Sequence, residues 1–193
     1  MARRNRSPHR RPSRANRSRA TRKGKKGQWQ PGLPSPCREN GRSRQSFFSK
    51  GLLASMRGIA DTGFIVAFGN RNDRHHAWAV AIARRVTEPL LTCEAVLAET
   101  AFHLGSVSFV LSLIADGMLR LAFDCSKNLE QLGALALRYT DRQPDLADLC
   151  IIRLSELYPH HTVITVDEND FRIYRRNKRE PIPMLTPSST RRN

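Results

Sequence analysis

From residue 56 onward, short apolar runs alternate with longer segments whose apolar residues recur at i, i+3 and i+4. Gly58–Ala60 reads as a strand that runs into Asp61, and Thr62–Phe68 continues as a short helix. Gly69, Asn70, Asn72 and Asp73 break the chain into a turn. His75–Arg85 carries Ala and Val at helical spacing. Pro89–Leu91 reads as a strand, and Thr92 as the N-cap of a helix over Cys93–Leu104. A second apolar helix over Ser106–Ala115 ends near Gly117. Leu119–Phe123 reads as a strand. Lys127–Tyr139 reads as a helix with Leu129, Leu132, Leu135 and Ala136 on one face. The Asp145–Tyr158 helix places Ala147, Cys150, Ile151, Leu154 and Leu157 on one face. Thr162–Val166 is β-branched and reads as a buried strand, with Ile182–Leu185 as a final edge strand. This alternation predicts an α/β fold, a mostly parallel central sheet with helices on both faces.

Residues 1–55 break the pattern. Residues 1–46 are dominated by Arg, Ser, Pro, Asn and Gly, with too few apolar residues to offset the entropy of ordering, so a disordered tail is expected. Its charge matters more. The chain carries a net +16, yet residues 1–55 hold 16 of the 33 Lys and Arg and a single acid, Glu39. The rest of the chain is nearly balanced. Two readings of the tail stay open: an arm that binds nucleic acid through phosphate contacts, or sequence upstream of a true start at Met56. The domain boundaries expected are 56–180 for the folded unit and 181–193 for an edge segment and tail. No apolar run reaches the ~20 residues of a membrane span, and the first thirty residues lack the apolar core of a secretory signal. A cytoplasmic location is expected. Cys37, Cys93, Cys125 and Cys150 are scattered without a C-x-x-C pair, so Cys93, Cys125 and Cys150 read as small buried hydrophobes.

The acids carry the candidate chemistry. Two strands end in aspartate, at Asp61 and Asp167, and sites in open α/β sheets form beyond the carboxyl ends of the strands. Glu99 sits on a helix between Val96 and Phe102, a largely apolar face where an unpaired carboxylate is costly. Asp145 and Asp148 lie at i and i+3 at the start of a helix. Asp145 after Pro144 also reads as the cap of that helix, with Asp148 three residues on. No Lys or Arg adjoins Asp61, Glu99 or Asp148 in sequence. Gathered carboxylates repel one another, and hard divalent cations such as Mg²⁺ or Mn²⁺ remove that repulsion while sharing phosphate oxygens. Such a site hydrolyses phosphodiesters without a protein nucleophile. His75 and His76 read as structural and Trp78 as packing.

The stretches Ile59–Ala67, His75-His76, Leu91–Thr100, Asp145–Asp148 and Val163–Arg175 resemble, in order and spacing, the PIN-domain family and its VapC-type toxins. The resemblance covers roughly residues 56–176. It implies a three-layer α/β/α domain that cleaves RNA with Mg²⁺ or Mn²⁺, a cognate antitoxin, and a homodimer. Carried over by position, Asp61, Glu99, Asp148 and Asp167 form the acidic quartet, with Asp61, Glu99 and Asp148 on the metal. Asp145 and Asp170 assist through water, and the hydroxyls of Thr62 and Thr165 orient the carboxylates. Gly63 departs from the hydroxyl residue many members carry. Arg172, Arg175 and Arg176 follow Asp167 closely and are candidates to guide an RNA backbone.

Three function classes compete. The first is a metal-dependent endoribonuclease of the toxin kind. The second is a non-catalytic RNA-binding protein acting through its basic tail. A receiver or a dehalogenase-type phosphatase is disfavoured: the next lysine after Asp167 is Lys178, and Asp61-Thr62-Gly63 stands where Asp-x-Asp is needed. No P-loop pattern occurs.

Overall fold

The computed structural model describes residues 56–190, with side chains through Ser188; the expectations for residues 1–55 lie outside the described residues. Five strands form one sheet: β1 (Gly58–Ala60), β2 (Leu90–Thr92), β3 (Leu119–Leu121), β4 (Thr162–Ile164) and β7 (Met184–Leu185). Their order is β3-β2-β1-β4-β7, with every neighbouring pair parallel. A separate antiparallel pair joins β5 (Arg175–Arg176) to β6 (Glu180–Pro181). The strands are three residues or fewer, yet β1, β2 and the inner residues of β4 are fully buried. That burial is the signature of strands covered on both faces.

Parallel strands need crossovers, and helices supply them. α1 (Thr62–Gly69) and α2 (His76–Ala83) join β1 to β2. α3 (Glu94–Leu104) and α4 (Val107–Ala115) join β2 to β3. α5 (Leu129–Arg138) and α6 (Leu146–Leu157) join β3 to β4. α7 (Glu168–Ile173) follows β4, and α8 (Pro187–Thr190) ends the described chain. The result is the three-layer α/β/α arrangement expected from the alternation. The core runs through Ile59, Phe64, Leu90, Leu91, Val96, Leu113, Ile151, Ile152, Val163 and Ile164, with Trp78 packed edge-on against Phe64 at 5.9 Å.

Local chemistry sets the helix ends, and it differs from expectation at three places. Thr92 closes β2 rather than capping α3; its hydroxyl donates to the Ala60 carbonyl oxygen at 3.2 Å, tying β2 to β1. Cys93 occupies the cap position without a side-chain hydrogen bond. Leu129 and Ala136 do not share the buried face of α5: both are exposed, and the buried face centres on Leu132 and Leu135, in a helix that a 3₁₀ turn over Cys125–Asn128 precedes. Glu168–Ile173 is helical where no helix was expected, held by the Asp167 side chain, which accepts from the Asp170 N–H at 3.2 Å. Elsewhere the caps follow the sequence. Asp145 accepts from the Asp148 N–H at 2.8 Å, Ser106 caps α4, and Gly105 ends α3 at φ 64°, a left-handed conformation suited to glycine.

Candidate active site

The sheet order reverses direction between β1 and β4: from β1 the chain proceeds to β2 and β3 on one side, and returns to β4 on the other. Such a switch point opens a crevice at the carboxyl ends of the two strands. Asp61 and Thr165 are the residues that follow β1 and β4. The Asp61 N–H donates to the Ile164 carbonyl at 3.2 Å, which continues the ladder by one residue and fixes where the carboxylate leaves the sheet. The Thr165 hydroxyl then donates to Asp61 Oδ2 at 2.7 Å, across 104 residues of sequence. Thr165 also accepts from the Asp167 N–H at 2.9 Å, so one buried hydroxyl links Asp61 to Asp167, which stands not at the strand end expected but three residues past β4, at the cap of α7.

Asp61 is only 7% exposed. Burial disfavours its charged form and pushes the carboxyl up to about 6. The Thr165 hydroxyl and the Thr62 and Gly63 N–H groups pull it down, while the charge of Glu99 pushes it up. Desolvation wins over all of them. Gly63 has a steric reason: a Cβ there would lie 2.5 Å from Val166 Cγ2 and 3.7 Å from Asp61 Oδ2. The absent hydroxyl side chain at this position goes with Val166 packed where it would stand.

Glu99 reaches the site from α3. The Thr62 hydroxyl donates to its Oε2 at 2.7 Å, and His103 Nε2 stands 3.6 Å from its Oε1, one helical turn on. The apolar face expected around Glu99 is half formed: Val96 is buried, but Phe102 is 83% exposed and turns away. Asp148 comes from the first turn of α6. Burial first, then the like charges of Asp145 and Asp61, push its carboxyl up to about 7. The buried Tyr174 opposes this by donating its hydroxyl to Asp148 Oδ2 at 3.1 Å. Tyr174 was missed as a site residue. Its signal is faint but present: an aromatic with a polar tip, three residues after Phe171, just beyond the acids of α7.

The remaining candidates separate into two groups. Asp145, Asp167 and Asp170 are exposed at the rim. Asp145 and Asp167 spend one oxygen each on helix caps, and Asp170 is raised by partial burial and by Asp167 beside it. Arg172, Arg175 and Arg176 are held locally. Arg172 pairs with Glu168, Arg175 donates to the carbonyls of Arg172, Ile173 and Tyr174, and Arg176 bonds Glu180 and the Pro159 carbonyl. His76 is structural, its ring Nδ1 paired with the Ala67 carbonyl at 2.9 Å.

Asp61 thus lies within electrostatic reach of both Glu99 and Asp148, and Asp148 within reach of Asp145 and Asp170. Among the described residues, no Lys or Arg stands within ion-pair distance of Asp61 or Asp148. A donor set of hard oxygens with no counter-charge fits a divalent cation. The acids are not closed on one point, however: among the described residues no three His, Cys, Asp or Glu side chains are gathered tightly enough to hold an ion. Among the described residues, no helix is long and apolar enough to cross a membrane.

No curated protein sequence matches the chain. The sequence profile of the PIN domain matches residues 59–177, from β1 to the turn after β5, which is more than half of the chain and holds Asp61, Glu99, Asp145, Asp148, Asp167 and Asp170. The switch-point aspartate, the hydroxyls that orient it and the acids brought up from α3 and α6 all fall inside that match, and the chain belongs to the PIN domain family, whose members are in general nucleases.

Proposed function

We propose that this protein is a Mg²⁺- or Mn²⁺-dependent endoribonuclease, built like the toxin of a type II toxin–antitoxin pair. The observation that carries the reading is the pair Asp61 and Asp148, whose carboxyls are raised to about 6 and about 7, first by burial and then by like charge, from Glu99 on Asp61 and from Asp145 and Asp61 on Asp148, with no Lys or Arg in ion-pair distance of either among the described residues. Carboxylates held so unfavourably are a reservoir of binding energy for a divalent ion. Asp61, Glu99 and Asp148 would hold the ion, with Asp167 completing the acidic quartet. When bound, the ion would lower the pKa of a water and offset charge on the leaving oxygen of a phosphodiester.

The chain's own residues do the positioning. Thr165 fixes the Asp61 oxygens and Thr62 fixes those of Glu99. Tyr174 holds Asp148 and keeps its carboxyl lower than burial alone would set it. Asp145 and Asp170 add negative charge at the rim. Arg172, Arg175 and Arg176 stay part of the proposal as a cationic border for an RNA backbone. A cognate antitoxin and a homodimer belong to the same reading. Its support on this side is the exposed apolar surface of α3 and α4, where Phe102, Val107 and Leu111 stand in solvent.

The test is cleavage of a mixed single-stranded RNA pool by the purified protein with Mn²⁺, with chelator, and with Asp61→Asn. The expected result is endonucleolytic products with 5′-phosphates, lost on chelation and reduced on the order of a hundredfold or more in the variant. RNA binding without cleavage, or cleavage that persists in Asp61→Asn under chelator, would overturn the reading.

A further inference from the structure

Cys125 and Cys150, 25 residues apart in sequence, meet close to Asp148. Cys93 follows β2, Cys125 opens the turn after β3, and Cys150 lies on α6 two residues beyond Asp148. All three are free thiols. Cys93 and Cys150 are fully buried, while Cys125 is partly exposed. The sulfurs of Cys125 and Cys150 are 3.6 Å apart. Simple packing of small hydrophobes accounts for each thiol alone. It does not account for Cys125 and Cys150, from two separate connecting segments, placing their sulfurs 3.6 Å apart.

We propose that Cys125 and Cys150 form a reversible disulfide that draws α6 toward the segment after β3 and so displaces Asp148 from the acidic site. The inference rests on the nuclease reading for its effect on activity, but not for the bond itself. The sulfurs must close from 3.6 Å to about 2.05 Å. A shift of that size is shared between a surface turn and a helix. Cys125 belongs to a 3₁₀ turn whose neighbours Asp124, Ser126 and Lys127 are exposed, so it is the thiol an outside reagent reaches first. Cys150 is the partner that carries the motion, because its helix begins with the residues around Asp148. A displacement of about 1 Å at a metal-holding carboxylate is enough to cost on the order of tenfold or more in rate.

The oxidant is a small disulfide such as oxidised glutathione. Cys125, as thiolate, attacks one glutathione sulfur and expels a glutathione thiolate. The Cys150 sulfur then attacks the Cys125 sulfur of the mixed disulfide and expels the second. The protein loses two S–H protons to solvent and two electrons to glutathione, which leaves as two thiols.

The experiment treats the full chain, with Cys37→Ser as a parallel control, with oxidised glutathione and then with dithiothreitol. Peptide mapping is expected to find one Cys125–Cys150 bond and two fewer free thiols than the reduced protein. Deuterium uptake across the first two turns of α6 is expected to change with the bond. RNA cleavage is expected to fall at least on the order of tenfold and to recover with dithiothreitol. Cys125→Ser is expected to cleave RNA like the reduced protein and to ignore glutathione. A bond that joins Cys93 to Cys150 instead, or no bond at all, would overturn the proposal. So would a Cys125–Cys150 bond that leaves α6 exchange unchanged. If the reduced protein cleaves no RNA, the nuclease reading fails by itself, and thiol mapping with deuterium uptake still decides the switch. Stoichiometric Zn²⁺ that blocks all three thiols until chelated would also overturn it, by assigning the cluster to a metal.

Discussion

Asp61→Asn is expected to make this protein more stable at pH 8 while abolishing its activity. The carboxyl moves from 3.8 to about 6 on folding, so at ~1.4 kcal/mol per unit, ionising it in place costs about 3 kcal/mol. The sign follows from the direction of that shift. The folded value lies above the unfolded one, so the stability due to the neutral carboxyl is complete below pH 3.8 and is lost as pH rises to about 6. Asparagine keeps nearly the same volume and can still accept the Thr165 hydroxyl, which donates at 2.7 Å in the wild type. It also removes a like charge from Asp148. Thermal melts in chelator are therefore expected to place the variant higher than wild type on the order of 10 °C at pH 8, with the gap closing near pH 4. If the variant melts at the same temperature or lower at pH 8, with its far-UV circular dichroism unchanged, the claim that Asp61 is held as an unfavourable buried charge is refuted.

The other expectations concern the residues that orient the acids. Tyr174→Phe removes the hydroxyl that lowers Asp148, so the acid limb of the pH–rate profile should move to higher pH, with kcat at pH 9 little changed; an unmoved limb would exclude Asp148 as the titrating group. Thr62→Val leaves Glu99 without its 2.7 Å donor and should raise the Mn²⁺ concentration needed for half-maximal cleavage by about tenfold; an unchanged requirement would remove Thr62 from the site. Gly63→Ala should lower the melting point by the equivalent of about 1–3 kcal/mol through overpacking, because its Cβ would lie 2.5 Å from Val166 Cγ2. Adding Val166→Ala should restore much of that loss, and no recovery would mean that the strain lies elsewhere.

Much of the fold was legible because period and punctuation agree along the chain. β1 and β4 read as short apolar runs ending in a polar residue, and both proved to be the inner strands whose ends bound the crevice. Asp145 was legible twice over, as a cap and as an acid near Asp148, and the structure gives it both roles at once. What escaped depends on contacts between distant residues. Thr92 carries the signature of a cap, but its hydroxyl reaches the Ala60 carbonyl, 32 residues away, and the strand keeps it. α7 is six residues long and polar at its start, too short to show a period, and Asp167 holds it from outside. The tyrosine on Asp148 and the meeting of Cys125 with Cys150 are invisible locally, because nothing near either residue in sequence announces its partner. Leu129 and Ala136 misled for the opposite reason: they fit the helical stripe of α5, but they lie at its edge, and only Leu132 and Leu135 reach the core.

If Asp61 and Asp148 share a divalent ion, calorimetric titration of Mn²⁺ into the full chain reads the two carboxyls at once. Binding is expected at pH 8 and weakens as pH falls through about 7 and then 6, because protons compete for the same two carboxyls. Proton release on binding near pH 7 is expected as well, with loss of binding in both Asp61→Asn and Asp148→Asn. Mn²⁺ binding of equal strength in wild type and in the two variants, independent of pH across that range, would contradict the shared ion.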